Sequence, residues 1–212
     1  MSDIISPQMM VYVLDMVGIG ACAIAGTTLA LHKKFDIFGC ILVSMVNAIG
    51  GGTIRDVMLD RYPLFWITDL NYVFFITSVS IICQVFFAFY KKVDWTLKFF
   101  DAIGLSAFSL IGLKVALSLN TPAVIAVMMA VLTSIAGGIM RDMICNEIPL
   151  VLQKEIYISA SIIGSCLYLC LTWLGTPTHL NETLTLITIF GVRILAIALD
   201  WHLPSLQIKH KS

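Results

Sequence analysis

The chain has 212 residues, of which 59% are hydrophobic and 12% charged, with 13 basic residues balancing 13 acidic ones. Soluble domains carry roughly 25% charged residues, so a mean hydropathy of +0.95 excludes water as the solvent for most of this surface. With zero formal net charge, membrane lipid is the expected partner and nucleic acid is not.

A hydrocarbon core about 30 Å thick is crossed by roughly 20 apolar residues in a helix. In chain order, hydropathy predicts spans over residues 9–31, 37–59, 70–90, 96–119, 122–145, 156–174 and 184–199, separated by short polar turns. The expected fold is an all-α membrane protein of seven transmembrane helices, a single membrane domain over 1–212. The N-terminus has Asp3 and no basic residue before the first apolar run, unlike a signal peptide, so that run is expected to stay as a permanent helix. Seven spans put the termini on opposite faces. Lys33, Lys34, Lys91, Lys92, Lys98, Lys154, Lys209 and Lys211 then share one face, and Arg61 stands alone on the other. By the positive-inside rule the lysine face is cytoplasmic, with the N-terminus outside and the C-terminus inside.

A shift of 86 positions superimposes two segments without a gap, carrying Asp15 onto Asp101, Gly51-Gly52 onto Gly137-Gly138, Arg55-Asp56 onto Arg141-Asp142 and Pro63-Leu64 onto Pro149-Leu150. Residues 9–90 and 96–174 are thus two repeats of three spans each, and 184–199 has no counterpart. An odd number of spans inverts the second copy, the arrangement of many transporters.

Gly50-Gly51-Gly52 and Gly137-Gly138 lie inside the second and fifth spans. Glycine there permits a kink, an unwound turn or close helix approach. Matching interruptions in both halves point to a transport site, which favours broken helices. Arg55-Asp56 and Arg141-Asp142 follow directly. Intramembrane charges cost about 2.5 to 3.5 kcal/mol each on insertion scales and should face the interior. Adjacent helical residues point about 100° apart, so each charge is expected to find its partner on another helix. Asp15 lies at the depth of Arg55, roughly 9 Å from the span edge, and Asp101 lies beside Arg141. Two ion pairs are expected, each either closing one end of a polar path or only locking helices.

Lys114 breaks the symmetry, its counterpart being Thr28; it either snorkels to the interface or enters the path. Arg193 is expected to be structural. The six cysteines read as small packing residues, and the four histidines as loop or tail residues. No phosphate-binding glycine loop and no metal-spaced cluster is present in the sequence, so neither an enzyme nor a cofactor is expected.

The runs Gly-Gly-Gly-Thr-Ile-Arg-Asp at 50–56 and Ala-Gly-Gly-Ile-Met-Arg-Asp at 136–142, with the 3+3+1 arrangement, resemble the trimeric intracellular cation (TRIC) channels. The likeness is to their prokaryotic branch, also known as UPF0126 or glycine-transporter-type membrane proteins, and it covers almost the whole chain. It implies a homotrimer with a pore in each protomer, lined by the first, second, fourth and fifth spans and conducting monovalent cations, mainly potassium and also sodium. It makes Lys114 the counterpart of basic gating residues. The Lys-Glu-Val tripeptide of animal members is missing. In the channel reading, groups at the glycine breaks, with Ser44, Asn47, Thr53, Thr133 and Ser134, replace part of the ion's hydration shell. Inverted repeats and broken helices fit a secondary transporter of a small zwitterion such as glycine equally well.

Overall fold

The computed structural model describes residues 7–86, 93–153 and 156–201. Among these, eight α-helices follow one another: α1 Pro7–His32, α2 Ile37–Met58, α3 Phe65–Thr68, α4 Asn71–Phe86, α5 Val93–Ser118, α6 Ala123–Ile144, α7 Ile158–Trp173 and α8 Thr178–Ala198, with a 3₁₀ turn at Leu150–Leu152. Lys91, Lys92, Lys154, Lys209, Lys211, His202, His210 and the end of the third predicted span lie outside the described residues.

Five helices, α1, α2, α5, α6 and α8, are long and apolar enough to cross a membrane. The sixteen residues of α7 rise about 24 Å, short of a full hydrocarbon core. Serine and threonine are tolerated in these helices because their hydroxyls fold back onto the preceding turn, as Thr77 does on the Val73 carbonyl at 2.8 Å and Thr172 on that of Tyr168 at 2.8 Å. The helices stop sharply: Lys34, Asp60, Asn120, Asn146, Gly175 and Asp200 all take positive φ just past a helix end. The next amide then reaches back to a carbonyl inside the last turn, as Arg61 N does to Asp56 O at 2.8 Å and Glu147 N to Asp142 O at 2.9 Å.

α1 and α5 pack against each other at the centre, α2 and α6 cross beside them, α4 lies against α1 and α2, α7 against α5 and α6, and α8 against α5 and α7. The two glycine-bearing helices therefore meet in the middle of the molecule.

Three expectations are corrected here. α8 begins at Thr178, not at residue 184, because its polar first turns are buried and satisfied: Asn181 Nδ2 donates to Tyr168 O at 3.0 Å and to Thr172 Oγ1 at 2.9 Å. This puts His179 in a helix, exposed, rather than in a loop. The turn expected over residues 60–69 contains the short helix α3. Of the cysteines, 22, 40, 83 and 145 are buried as packing residues, whereas Cys166 and Cys170 are exposed on α7.

Candidate functional site

Both glycine helices run unbroken, α2 through Gly50–Gly52 and α6 through Gly137 and Gly138. The expected unwound turn is absent; the glycines instead let two backbones touch. A Cβ on Gly51 would overlap the Thr133 carbonyl oxygen, and one on Gly137 would overlap that of Asn47. Thr133 is the counterpart of Asn47 and Gly137 that of Gly51, so the contact is reciprocal. No other residue could occupy either position at this distance, since any side chain would enter a fixed backbone.

On either side of this crossing lies a buried charge cluster. In the α5, α6 and α7 cluster, Arg141 Nη1 donates to Asp101 Oδ1 at 2.7 Å and Arg141 Nε to Asp142 Oδ1 at 2.8 Å. Tyr157 Oη donates to Asp101 Oδ2 at 2.5 Å, and the amide of Leu150 to Asp142 Oδ2 at 2.9 Å. Arg141, Asp101 and Asp142 are 1%, 3% and 2% exposed, so their charges depend on each other rather than on solvent. The guanidinium of Arg193, from α8, lies 4.6 Å from the centre of the Tyr157 ring and donates to Ile156 O at 3.3 Å.

The α1, α2 and α4 cluster is wired differently. Asp15 accepts from Tyr72 Oη at 2.7 Å, while Arg55 Nε donates to Asp56 Oδ1 at 2.8 Å and the Arg61 guanidinium adds a 3.3 Å contact to the same oxygen. The pair expected between Asp101 and Arg141 is therefore present, whereas Asp15 and Arg55 each bond elsewhere. The expectation that neighbouring Arg and Asp are poorly placed to satisfy one another fails in both halves, although Arg141 also has its expected partner on another helix. It rested on the directions of the Cβ atoms, but arginine has a long jointed stem, and its Nε swings back over the following carboxylate.

The polar residues of α2 and α6 are turned onto backbone carbonyls: Ser44 to Ala23 at 3.2 Å, Asn47 to Cys22 at 2.6 Å, Thr53 to Ile49 at 2.8 Å, Thr133 to Met129 at 2.6 Å and Ser134 to Val131 at 2.9 Å. Lys114 neither snorkels nor stands free, because it is bonded to Glu182, a 7% exposed residue of α8. Removing either charge alone strands the other, so in a double-mutant cycle Lys114→Met and Glu182→Gln are expected to couple by about 1 to 2 kcal/mol. Thermal unfolding of the four proteins in detergent measures this; additive losses would mean that the pair is only a surface contact.

Sequence reasoning missed Tyr72, Tyr157 and Glu182. The tyrosines stand 85 positions apart, one out of register with the repeat.

Next to the α5, α6 and α7 cluster, a cleft of 240 Å³ is lined by His32, Asp94, Lys98, Asp142, Glu147 and Leu150 among others. Its rim is tied by Lys33 Nζ to Glu147 Oε1 at 2.5 Å. That hydrogen bond, then the lysine charge, holds the Glu147 carboxyl below its ordinary value. A lowered folded-state value means that the tie is intact at neutral pH and is released only as pH falls through the carboxylate range.

The family model described as "Glycine transporter" matches residues 12–90 and 98–173. A UPF0126 membrane protein of Vibrio cholerae is 38% identical over 92% of this chain and 81% of its own length. The UPF0126 inner membrane protein YadS of Escherichia coli K12 is 36% identical over 92% and 94% respectively. Among solved structures, the TRIC trimeric intracellular cation channel orthologue from Rhodobacter sphaeroides superimposes with a TM-score of 0.88 at 33% identity, over 92% of this chain and all of that one.

Proposed function

Because the chain belongs to the prokaryotic TRIC family of UPF0126, glycine-transporter-type membrane proteins, we propose that it is a cation channel, permeable mainly to potassium, with a pore in each protomer of a homotrimer. The observation that carries this reading is the whole-chain likeness to the Rhodobacter sphaeroides cation channel, at an identity that extends beyond shared fold. The pore runs between α1, α2, α5 and α6, past the two charge clusters. The paired halves are inverted three-helix repeats; the reciprocal contacts of Gly51 with Thr133 and of Gly137 with Asn47 support that symmetry. Exposed Tyr62 and Trp173 near one rim, with Trp95 and Trp201 near the other, suit lipid interfaces, and the lysine-rich face is cytoplasmic.

The clusters suit conduction better than tight substrate capture. Each carboxylate is already matched by a guanidinium, a phenol or an amide, so no lone charge would trap a passing ion, and weak, multiple sites let ions leave. The helices are intact and their carbonyls engaged, so side chains rather than glycine breaks replace the hydration shell.

Purified protein in a planar bilayer, with potassium on both sides and then sodium or glycine substituted on one, is expected to give discrete unitary currents reversing at the potassium potential. The name of the matching family model favours a second reading, glycine transport. Silent bilayers together with saturable uptake of labelled glycine into liposomes would establish that reading instead.

A further inference from the structure

We propose that the short helix α3 is a gate, in which Phe65 and Trp66 stop the end of the path on the Asp15 side and open it by withdrawing. The path itself rests on the channel reading; the stopper rests on a difference between two equivalent glycines.

Gly52 and Gly138 are counterparts under the 86-residue shift, yet their surroundings differ. The atoms nearest to a methyl group placed on Gly138 are Arg141 Nη2 at 3.6 Å, Asp101 Oδ1 at 3.7 Å and Tyr157 Oη at 3.8 Å. A methyl group therefore fits there, in ordinary contact with the polar atoms of the charge cluster. Asp142 and Leu150 of the same corner also line the 240 Å³ cleft, together with His32 and Asp94. At Gly52 the corresponding space is filled, because the Phe65 ring comes to 2.6 Å from where such a methyl would stand.

Phe65 is held on several sides. The Arg55 guanidinium lies 5.6 Å from its ring centre, and the Tyr72 ring meets it edge-on at 5.0 Å. The Trp66 indole donates to Thr53 Oγ1 at 3.0 Å. The residues at the equivalent chain positions are Val151, a smaller side chain that lines the Gly138 corner, and Leu152, which is 72% exposed. One end of the molecule thus seats an aromatic ring on its glycine where the other carries a smaller side chain and leaves room for a methyl group.

The stopper is also built to leave. α3 has four residues and none of them is buried. Its attachments are one indole hydrogen bond and ring contacts, the kind of locally weak element from which lids are drawn. Gly52 supplies the seat, because any side chain there would collide with the ring.

The test is thiol accessibility. Ile49, one turn deeper on α2, packs against the same buried cluster as Phe65 and Trp66. Ile49→Cys, in a background with Cys166→Ala and Cys170→Ala, is exposed in sealed vesicles to a membrane-impermeant cationic thiol reagent on the Tyr62 side. Slow labelling is expected, rising at least tenfold on Trp66→Ala, on Phe65→Ala, and on Gly52→Ala, which keeps both aromatics but removes the seat. Size-exclusion elution of each variant excludes unfolding as the cause, and should Trp66→Ala fail to fold, Trp66→Phe and Gly52→Ala decide. Equal labelling with and without the aromatics, or resistance in every variant, overturns the gate. Labelling that tracks the stopper while bilayers stay silent would defeat the conduction reading and keep the gate; currents without any labelling change would do the reverse.

Discussion

Gly137→Ala is expected to destabilise the protein by about 1 to 3 kcal/mol, while Gly138→Ala, one residue further along the same helix, is expected to be neutral or stabilising by up to about 1 kcal/mol. In isolation both substitutions favour the helix equally, because alanine is the better helix former. They differ in what the new methyl meets. At Gly137 it runs into the Asn47 carbonyl oxygen, which belongs to a helix backbone and cannot rotate away, so α2 and α6 must separate. At Gly138 the nearest atoms stand at 3.6 to 3.8 Å, ordinary contact distances. Gly51→Ala should behave like Gly137→Ala, since it meets the Thr133 carbonyl. Thermal unfolding in detergent separates the cases, and unitary conductance adds a second contrast. The Gly138 methyl would lie against the Arg141 and Asp101 side chains on the proposed path, so that variant should fold normally and pass less current. Equal melting of the Gly137 and Gly138 variants would mean that the crossing is loose enough to absorb a side chain.

Much of this architecture is legible in the sequence because the bilayer imposes a length and an apolarity on each span. The predicted 37–59, 96–119 and 122–145 lie within a few residues of α2, α5 and α6. The predicted start of α8 fails where burial and hydropathy part company, as Asn181 and Glu182 are polar but are buried against α7 and Lys114. Repeat matching located the charges and the glycines, yet it could not say what the glycines do. Close approach and helix breaking require the same residue, and only the position of the facing carbonyl distinguishes them. The tyrosines escaped for a related reason: an alignment in strict register sets Asn71 against Tyr157 and Tyr72 against Ile158. A phenol near the start of the third helix of each half was the available signal. The aromatic pair of α3 lay in a stretch read as a turn, where nothing in the sequence tells which backbone its rings will cover.

Arg141→Met is expected to cost about 3 to 5 kcal/mol, the usual consequence of stranding buried charge. The substitution removes the shared partner of two carboxylates that are 3% and 2% exposed, leaving, among the described residues, the Tyr157 hydroxyl on Asp101 and the Leu150 amide on Asp142. Asp101→Asn is milder, because the amide oxygen still accepts a hydrogen bond and Arg141 keeps Asp142; a loss of about 1 to 3 kcal/mol is expected. Combining the two should cost clearly less than the sum, since the uncharged amide that replaces the Asp101 carboxylate needs no counterion. Asp15→Asn tests the other end, where the carboxylate is bonded to Tyr72 rather than to an arginine. No cation is stranded there, so the fold should lose no more than about 1.5 kcal/mol, and any large change in unitary current must come from the path itself. If Asp15→Asn instead unfolds the protein as readily as Arg141→Met, both clusters serve to lock helices, and the permeating ion must find its way elsewhere.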